Sequence, residues 1–323
     1  MSEESRDIHK FRFQNDSISD LHNFSHEAMA TTFEISIQSE DRDYANKAAI
    51  AGFDELDKLE QQLSRYIENS DISRVNNLTQ GRTTRIGLSA FDCLSTAKDI
   101  HNQTSGAFDV TIGSLYDCWI DENKEIKKPI DEAISIAKRY TGTNLLELDE
   151  TDFSVKLVSE KVCLDLGGIG KGYAVDQIAQ LLYDWSIDKA LIHGGYSTIV
   201  ALNPPDGRKG WPVTISNPQQ PSEILARFDL ANCALGISGL QKGRHIIDPR
   251  TARPVHATLA AWALAERAAE ADALSTAFMV MNHQEIEKFC QDNPTVLSAI
   301  IREHSLEKIY YFGRWDQMGL DKK

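Results

Sequence analysis

The segment LDLGGIGKGYAVD, from Leu164 to Asp176 and hereafter the glycine segment, places four glycines and one lysine between a strand-like run and a helix-like run. Glycine adopts positive φ angles and allows close backbone approach, and a helix N-terminus presents unpaired N–H groups to an anion. The segment therefore predicts a tight strand-to-helix connection suited to lie against a phosphate. The structural alternative is an ordinary tight turn with Lys171 in solvent, because glycine first of all indicates a turn.

Two known phosphate-binding motifs do not fit the glycine segment. A P-loop needs serine or threonine after its lysine, but Gly172 follows Lys171, and Asp165 takes the place of the first glycine. A dinucleotide-binding fingerprint counted from Gly168 has Tyr173 in place of its third glycine. The segment thus indicates neither a P-loop enzyme nor a dinucleotide-binding domain.

Helical and β-rich patterns follow one another irregularly along the chain. Helical spacing and end signals predict helices over 44–66, 88–106, 128–142, 173–185 and 268–281. Strands are expected over 29–37, 145–150, 154–158, 161–166, 189–196, 212–216, 223–230 and 244–248, with a strand hairpin over 299–312. Runs of strands with helices between them predict an α+β fold of mixed sheets and flanking helices. We expect a single domain over 26–315, either undivided or made of two lobes, between polar tails at 1–25 and 316–323.

The composition excludes several classes of partner. The net charge of −14 should repel a nucleic-acid backbone, and no stretch approaches the ~18 consecutive apolar residues of a membrane span. The polar start of the chain has no signal-peptide pattern. Five scattered cysteines without a C-x-x-C pair indicate free thiols in a reducing compartment and no structural zinc. We therefore expect a cytoplasmic protein without nucleic-acid or membrane partners.

The glycine segment closely resembles the signature of the ApbE-type flavin transferases, the FAD:protein FMN transferase family. Further blocks similar to those of the family occur in the same order, so the resemblance covers about residues 29 to 281. These blocks are MATTFEISI from Met29, LSRYIENSDISRVN at 63–76, TSGAFDVTIGSL at 104–115, HGGY at 193–196, SGLQKGRHIIDPRT at 238–251 and ADALSTAFMVM at 271–281. Any one block can arise by chance, whereas their ordered occurrence distinguishes this family.

The resemblance implies a reaction of FAD. Members of the family split the FAD pyrophosphate, attach FMN through a phosphoester bond to a threonine or serine of an acceptor protein, and release AMP in a Mg²⁺-dependent reaction. Some members hydrolyse FAD to FMN and AMP instead. Three functions therefore stay open: a protein FMN transferase, an FAD pyrophosphatase, and a catalytically impaired FAD-binding protein.

The resemblance also implies a Mg²⁺ site formed by the backbone carbonyl of Gly170 and the side chains of Asp272 and Thr276. The spacing agrees with this, because residues four apart on a helix share a face. Magnesium takes oxygen ligands and usually keeps waters while it bridges substrate phosphates. The structural alternative is an ordinary helix with a polar residue near its start.

The block HIIDPRT supplies the acid–base candidates. His245 is the first catalytic candidate: it can accept the proton of the attacking hydroxyl, because imidazole titrates near neutral pH, or position the phosphate. Arg250 is a second catalytic candidate, since its guanidinium can meet either a phosphate or a carboxylate in fork geometry. Asp248 before a proline also has a purely structural explanation as a turn former. His193 and His256 are the nearest rivals to His245.

The remaining predicted residues contact the flavin nucleotide by resemblance. Asp109 and Thr111 would hold its far side, or alternatively satisfy local backbone groups at a strand entry. Met29, Tyr66 and Tyr173 would contact the adenine and flavin rings, or alternatively belong to the core or its rim. The full set is Met29, Tyr66, Asp109, Thr111, Lys171, Tyr173, Gly194 and Gly195.

The sequence departs from the family pattern at a few positions around the expected catalytic face. The approach from Ser238 to His245 is shorter than usual. Ala252 stands where the family has glycine, Tyr196 where Asp or Asn is usual, and Gly170 where alanine is commoner. These differences bear on turnover more than on FAD binding.

Overall fold

The secondary structure of the chain is a mixture of helices and antiparallel strands. The computed structural model describes residues 18–195, 197–220, 222–240, 243, 245–303, 305–318 and 320–322. Its helices are α1 Arg42–Leu63, α2 Asp71–Asn76, α3 Leu88–Gln103, α4 Gly113–Trp119, α5 Asp131–Arg139, α6 Gly170–Asp184, α7 Ala268–Val280 and α8 His283–Asp292. Its strands are β1 Leu21–Ala28, β2 Thr31–Gln38, β3 Thr83–Arg85, β4 Leu146–Asp149, β5 Ser154–Leu157, β6 Ala190–Gly194, β7 Thr198–Ala201, β8 Trp211–Ser216, β9 Ile224–Leu230, β10 Cys233–Gly239, β11 Ile247–Asp248, β12 Arg253–Pro254, β13 Thr258–Ala265, β14 Leu297–Arg302, β15 Ser305–Phe312 and β16 Asp321–Lys322. The predicted α+β class is confirmed.

An eight-stranded sheet in the order β1-β2-β6-β7-β10-β13-β14-β15 forms the centre of the molecule. Every neighbouring pair in it is antiparallel. Smaller sheets are formed by β3-β5-β4, by β16-β9-β8 and by β11-β12. Across the middle of the large sheet, Gly194 of β6 and Gly236 of β10 lie opposite Thr198 of β7. This row of small residues lies beneath the helices that carry the site.

Both faces of the large sheet are covered. Helices α1, α6 and α7 pack on one face, where alternate strand residues such as Ile35, Ile192 and Ala234 join their apolar core. The sheet β16-β9-β8 covers the other face through a second core that contains Trp211 and Phe228. Side chains alternate between the two faces along a strand. Each side chain of the large sheet therefore points either toward the helices or toward the small sheet β16-β9-β8.

Two glycines allow α7 to pack unusually close to its neighbours. A Cβ atom built on Gly172 of α6 would overlap the carbonyl group of Ala268 and lie 2.8 Å from the Cα atom of Ala269. A Cβ atom on Gly236 of β10 would overlap the carbonyl of Ala271 and lie 2.6 Å from the backbone nitrogen of Asp272. Only glycine fits at such distances, so the start of α7 is held tightly between α6 and the sheet.

The expected helices are confirmed as α1, α3, α5, α6 and α7, and the expected hairpin as β14 and β15. The predicted strand at 161–166 is wrong. Its backbone bonds go elsewhere: Leu164 N–H donates to the Asn76 side chain at 2.6 Å, and Asp165 N–H to the carbonyl of Val110 at 2.7 Å. The strand expected at 244–248 is reduced to the two residues of β11.

The predicted tails are shorter than expected where the structure describes them. Residues 21–25 belong to β1, which pairs with β2, and β16 near the other end pairs with β9. Residues 1–17 lie outside the described residues. All five cysteines are free thiols. Among the described residues, no helix combines the length and apolar character needed to span a membrane.

Candidate active site

The glycine segment and α7 meet at the buried carboxylate of Asp272. Gly172 N–H, in the first turn of α6, donates a hydrogen bond of 3.1 Å to Asp272 Oδ2 across 100 residues of chain. Lys171 Nζ is 3.6 Å from the same oxygen. Asp272 is only 2% exposed, and a buried carboxylate needs such partners because it has lost its water. The two predicted regions are thus brought together.

Two serines and the glycine segment lie near the hydroxyl of Thr276, one turn after Asp272. Thr276 Oγ1 is 3.0 Å from Ser238 Oγ of β10, which is also 2.8 Å from Ser275 Oγ. A Cβ atom on Gly168 would lie 3.3 Å from Thr276 Oγ1, so the glycine segment passes directly beside it. Between residues 271 and 279, all of which are described, only Thr276 is not fully buried. Thr276 is therefore the most accessible residue in this part of α7.

The carbonyl oxygen of Gly168 is better placed to bind a cation than the carbonyl oxygen of Gly170. Gly170 is the first residue of α6, so the α-helical pattern directs its carbonyl along the helix to an N–H four residues later. The carbonyl of Gly168 lies outside helix and strand, and it accepts no hydrogen bond from the residues that the structure describes. A Cβ atom on Gly170 would meet only Leu166 within 4 Å.

The donor set fits a hard divalent cation. Asp272, Thr276 and a glycine carbonyl supply only oxygen atoms, and Mg²⁺ prefers oxygen and often binds through few carboxylates plus substrate phosphates. Within the described ranges, no group of three or more His, Cys, Asp or Glu side chains forms an alternative metal cage. Thr198 Oγ1 beneath the helices is buried and has no hydrogen-bond partner among the described residues. The region thus has more polar oxygen than its protein contacts use.

Asp176 of α6 fixes the start of α7. Its two carboxylate oxygens accept hydrogen bonds from Ala268 N–H at 2.7 Å and from Ala269 N–H at 2.9 Å. Burial raises the pKa of Asp176, and these two hydrogen bonds partly offset that rise. Because Asp176 is the last residue of the glycine segment and lies on the same helix as Gly172, α6 both caps α7 and contacts Asp272.

His245 has a geometry suited to a general base. Its Nδ1 lies 2.8 Å from the carbonyl oxygen of Gly243. A carbonyl can only accept, so Nδ1 of the neutral ring donates and Nε2 is the nitrogen with the basic lone pair. The segment between Ser238 and His245 is only partly described. Three of its residues lie outside the described residues, namely Gln241, Lys242 and Arg244.

Arg250 is held by two carboxylates. Its Nη1 is 2.7 Å from Glu285 Oε1 of α8, and its Nε is 3.3 Å from Asp248 Oδ1. A third bond of 3.4 Å runs from Nη2 to the carbonyl of Val280 at the end of α7. These contacts attach residues 245–250, hereafter the His245 loop, to α7 and α8. A contact of Arg250 with phosphate, as expected from the sequence, would have to compete with these bonds. No local pattern indicated Glu285 as a partner, because it lies 35 residues from Arg250 in the chain.

The two rival histidines differ from His245. His193 is 3% exposed, and burial lowers its pKa to about 4, so its ring is neutral near pH 7. On β6 it alternates with Ile192 of the helix-side core, which places it on the face opposite α6 and α7. His256 is exposed after β12. The three histidines thus differ in exposure and in the side of the sheet on which they lie.

Asp109 and Thr111 make local contacts. Asp109 Oδ1 accepts hydrogen bonds from Thr111 N–H at 2.8 Å and from Thr111 Oγ1 at 2.6 Å, and Thr111 Oγ1 accepts one from Gly142 N–H at 2.6 Å. His101 Nδ1 is 3.4 Å from Asp109 Oδ2. These bonds shape the turn at 104–111 and agree with the structural alternative. They occur at a 3-10 turn rather than at a strand entry.

Of the predicted ring contacts, Tyr66 is accessible and Tyr173 is not. Tyr66 is 78% exposed beside the guanidinium of Arg65, which lies 5.0 Å from its ring centroid. Tyr173 is 2% exposed, and its pKa is raised by burial and by nearby Asp92. The expectation that its ring contacts a ligand disagrees with this burial. Met29 is half-buried in the β1–β2 turn, where its N–H donates to Glu60 Oε1 at 2.8 Å.

Arg65 links Tyr66 to the glycine segment, which sequence reasoning missed. Its side chain is 10% exposed, its Nε is 3.3 Å from Asp165 Oδ2, and it also pairs with Asp117. Its guanidinium lies 5.7 Å from the ring centroid of Tyr116. The sequence shows that Arg65 directly precedes Tyr66, but it does not show which residues Arg65 contacts.

The glycines of the HGGY block have packing roles. A Cβ atom on Gly194 would lie 2.9 Å from Val175 Cγ2 of α6 and 3.6 Å from the carbonyl oxygen of Lys171. Gly195 has a positive φ of 61° in the turn after β6. Both residues thus bring β6 under the glycine segment. Tyr196 lies outside the described residues.

Comparison with known proteins identifies similar chains. The model of the ApbE family matches residues 29–301. A protein of Klebsiella pneumoniae named FAD:protein FMN transferase is 25% identical over 291 residues, covering 85% of this chain and 83% of its own. A protein of Haemophilus influenzae with the same name is 28% identical over 264 residues, covering 76% of each.

Solved structures agree with the fold. The flavin transferase ApbE from Vibrio cholerae matches with a TM-score of 0.81 at 23% identity, covering 92% of this chain and 99% of that one. The ApbE protein from Thermotoga maritima matches with a TM-score of 0.83 at 24% identity and the same coverage, 92% and 99%. At these identities the two structures support the α+β fold alone.

Proposed function

Because this chain belongs to the ApbE family, we propose that it transfers FMN from FAD to a threonine or serine of an acceptor protein. A phosphoester bond forms, AMP is released, and the reaction depends on Mg²⁺. The name shared by the curated relatives, FAD:protein FMN transferase, supports FAD as substrate and a protein as acceptor. The observation that carries the proposal is the convergence of the glycine segment and Asp272 through the 3.1 Å bond from Gly172.

The reaction exchanges one oxygen for another on phosphorus. The acceptor hydroxyl oxygen forms a bond to the phosphorus on the FMN side of the pyrophosphate. The bond from that phosphorus to the bridging oxygen breaks, and AMP leaves with that oxygen. The hydroxyl proton passes to a base. Such transfers depend mostly on positioning and on charge stabilisation rather than on covalent catalysis.

His245 is the proposed base. Its Nδ1 donates to the carbonyl of Gly243, so Nε2 of the neutral ring takes the acceptor proton. The contacts of Arg250 with Asp248, Glu285 and Val280 keep the His245 loop against α7. In this assignment Arg250 positions the base and does not touch the substrate. This differs from the catalytic role that the resemblance implied for it.

Asp272, Thr276 and the carbonyl of Gly168 are the residues proposed to hold Mg²⁺, with Gly168 in place of the Gly170 expected from resemblance. When bound, Mg²⁺ would offset charge on the pyrophosphate oxygens. The N–H groups in the first turn of α6 and the ammonium of Lys171 add positive potential on the same side. Tyr66 on the surface is the proposed contact for a ring of FAD.

One assay separates this function from its alternatives. Pure protein is incubated with FAD and Mg²⁺, with and without a threonine-containing candidate acceptor, and the products are analysed by mass spectrometry. The proposal expects FMN covalently bound to the acceptor and one AMP for each FMN. Free FMN and AMP without modified protein would indicate an FAD pyrophosphatase. Unchanged bound FAD would indicate an impaired flavin-binding protein. A chelator control tests the metal requirement. The assay does not address the cytoplasmic location of the acceptor, which stays a prediction.

A further inference from the structure

The ammonium of Lys171 lies between the glycine segment and α7. Lys171 Nζ is 3.6 Å from Asp272 Oδ2 and donates a 3.0 Å hydrogen bond to the carbonyl oxygen of Gly167. The Lys171 side chain is 22% exposed and that of Asp272 is 3% exposed. The ammonium therefore lies nearer the surface than the carboxylate that it contacts.

Lys171 and a divalent cation compete for the carboxylate of Asp272. Asp272 Oδ2 already accepts from Gly172 N–H and lies beside the Lys171 ammonium. A cation on Asp272 would thus stand within a few ångströms of a second positive charge in a site shielded from water, where like charges repel strongly. Carboxylate and carbonyl oxygen, the two partners of Lys171, are also the ligands that Mg²⁺ prefers. Occupation by the ammonium and by the cation is therefore competitive.

The anion that can draw Lys171 away is on the substrate. The side chain stands on the first turn of α6, whose N-terminus favours phosphate, and its partial exposure gives the ammonium room to turn outward. A phosphate oxygen offers the ammonium a stronger partner than the neutral carbonyl of Gly167. The remaining partner of Asp272, Gly172 N–H, stays in place because it belongs to the backbone.

We propose that Lys171 is a positioning residue that couples the binding of the divalent cation to the binding of FAD, by moving its ammonium from Asp272 to the FAD pyrophosphate. The proposal rests on the proposed function. Before FAD binds, Lys171 weakens cation binding at Asp272. Once the ammonium contacts phosphate, Asp272 is available to the cation. Linkage requires the reverse effect with the same factor, so the cation strengthens FAD binding.

The test measures binding rather than turnover. Mn²⁺ serves as the probe because its free form is quantified by electron paramagnetic resonance. Without nucleotide, Lys171→Met should bind Mn²⁺ about tenfold more tightly than the original protein, the scale expected when one charge a few ångströms away is removed. Lys171→Arg, which keeps the charge, should stay near the original affinity. Lys189→Met is the matched control, because it removes an ammonium from the exposed pair with Asp206.

A second measurement follows FAD by its flavin fluorescence, with a chelator and with Mn²⁺, on a timescale shorter than turnover. The gain in FAD affinity on adding Mn²⁺ should be several-fold smaller in Lys171→Met than in the original protein. The proposal is overturned if Lys171→Met binds Mn²⁺ no more tightly, if its coupling is unchanged, or if no variant binds Mn²⁺. Thermal unfolding of each variant identifies a fold defect.

The outcomes separate this proposal from the proposed function. FMN transfer with unchanged Mn²⁺ affinity in Lys171→Met would remove the coupling role and leave the function intact. Tighter Mn²⁺ binding by the variant, together with no transfer of FMN to any acceptor by the original protein, would support the coupling and contradict the function.

Discussion

Asp272 is the single residue on which the chemistry of the site most depends. It lies at 2% exposure among buried helix residues, and its Oδ2 is reached by a backbone amide and by an ammonium. Ionised groups this deep are rarely kept for stability alone, because their desolvation costs about as much as their pairing returns. We therefore expect this cluster to serve ligand binding.

Asp272→Asn should abolish metal-dependent turnover of FAD while the chain still folds. The amide preserves the shape of the side chain but lacks the charge that a hard cation requires. We expect a loss of at least about 100-fold in the rate of FMN formation, the scale of removing one charge-stabilising group. Product formation at several Mg²⁺ concentrations measures this effect. Undiminished turnover would remove Asp272 from the site.

His245→Ala should slow transfer and spare FAD binding. A general base contributes roughly 10²- to 10⁴-fold to a proton transfer, and the role proposed for His245 is proton transfer rather than nucleotide binding. Single-turnover transfer rates and FAD fluorescence titrations separate the two effects. His256→Ala, an exposed histidine of the same region, is the matched control. If both variants transferred FMN at the original rate, another group would have to be the base.

The backbone conformation of Ala252 explains why the family has glycine at this position. Its φ is +58°, a left-handed conformation that costs an L-residue about 1 kcal/mol and costs glycine little. The family preference for glycine at this position follows directly. Ala252 is 4% exposed in a small core with Leu115 and Ile247, so its buried methyl group offsets part of that cost.

At the scale of elements, the packing of α6 against α7 holds the site together. The N-terminal turn of α6 supplies Lys171 and Gly172, and Asp176 one turn later caps α7 through two backbone amides. Any shift between these two helices would separate the Gly172 amide from Asp272. The spacing between the helices is thus as important as the identity of the ligands.

Two neighbouring glycines provide a matched test of this spacing. Gly172→Ala should destabilise the fold by about 3 kcal/mol or more and impair FAD binding, because the new methyl group would overlap the backbone of Ala268. Gly170→Ala should be tolerated, since its Cβ would meet only Leu166 at 3.6 Å and alanine favours helix. Urea unfolding and FAD titration measure both effects. Equal stability of the two variants would contradict the close packing.

Sequence patterns predicted some elements and missed others for identifiable reasons. The helices α1 and α3 have apolar residues at helical spacing, and these positions are buried. Central strands β10 and β13 were missed, because strands covered on both faces have apolar runs without alternation. In the site, motifs indicated Asp272 and Thr276, but the closeness of Gly168 to Thr276 and the partners of Arg250 depend on long-range contacts that no local pattern encodes.

At the scale of the whole molecule, the large sheet separates two cores with different roles. The core on the helix side supports the site, and the core against β8 and β9 contains no predicted site residue among those described. His193 points toward this second side of the sheet from within β6. Its burial should therefore affect stability and leave the chemistry unchanged.

The stability of the protein should depend on pH through His193. Burial lowers its pKa from 6.5 to about 4, so between these values the unfolded chain binds a proton that the folded chain does not. Its contribution to stability is present above pH 6.5 and is lost as the pH falls toward 4, by at most about 3 kcal/mol. Denaturant unfolding at pH 7 and pH 5 should show a smaller difference for His193→Asn than for the original protein. An identical difference would contradict this assignment.

The bond from Gly172 to Asp272 has a consequence for synthesis of the chain on the ribosome. The glycine segment leaves the exit tunnel about 100 residues before α7, and Ser238 and His245 emerge between them. A nascent chain therefore has no complete site until α7 has left the exit tunnel. A chain whose synthesis has not passed α7 should not capture the nucleotide.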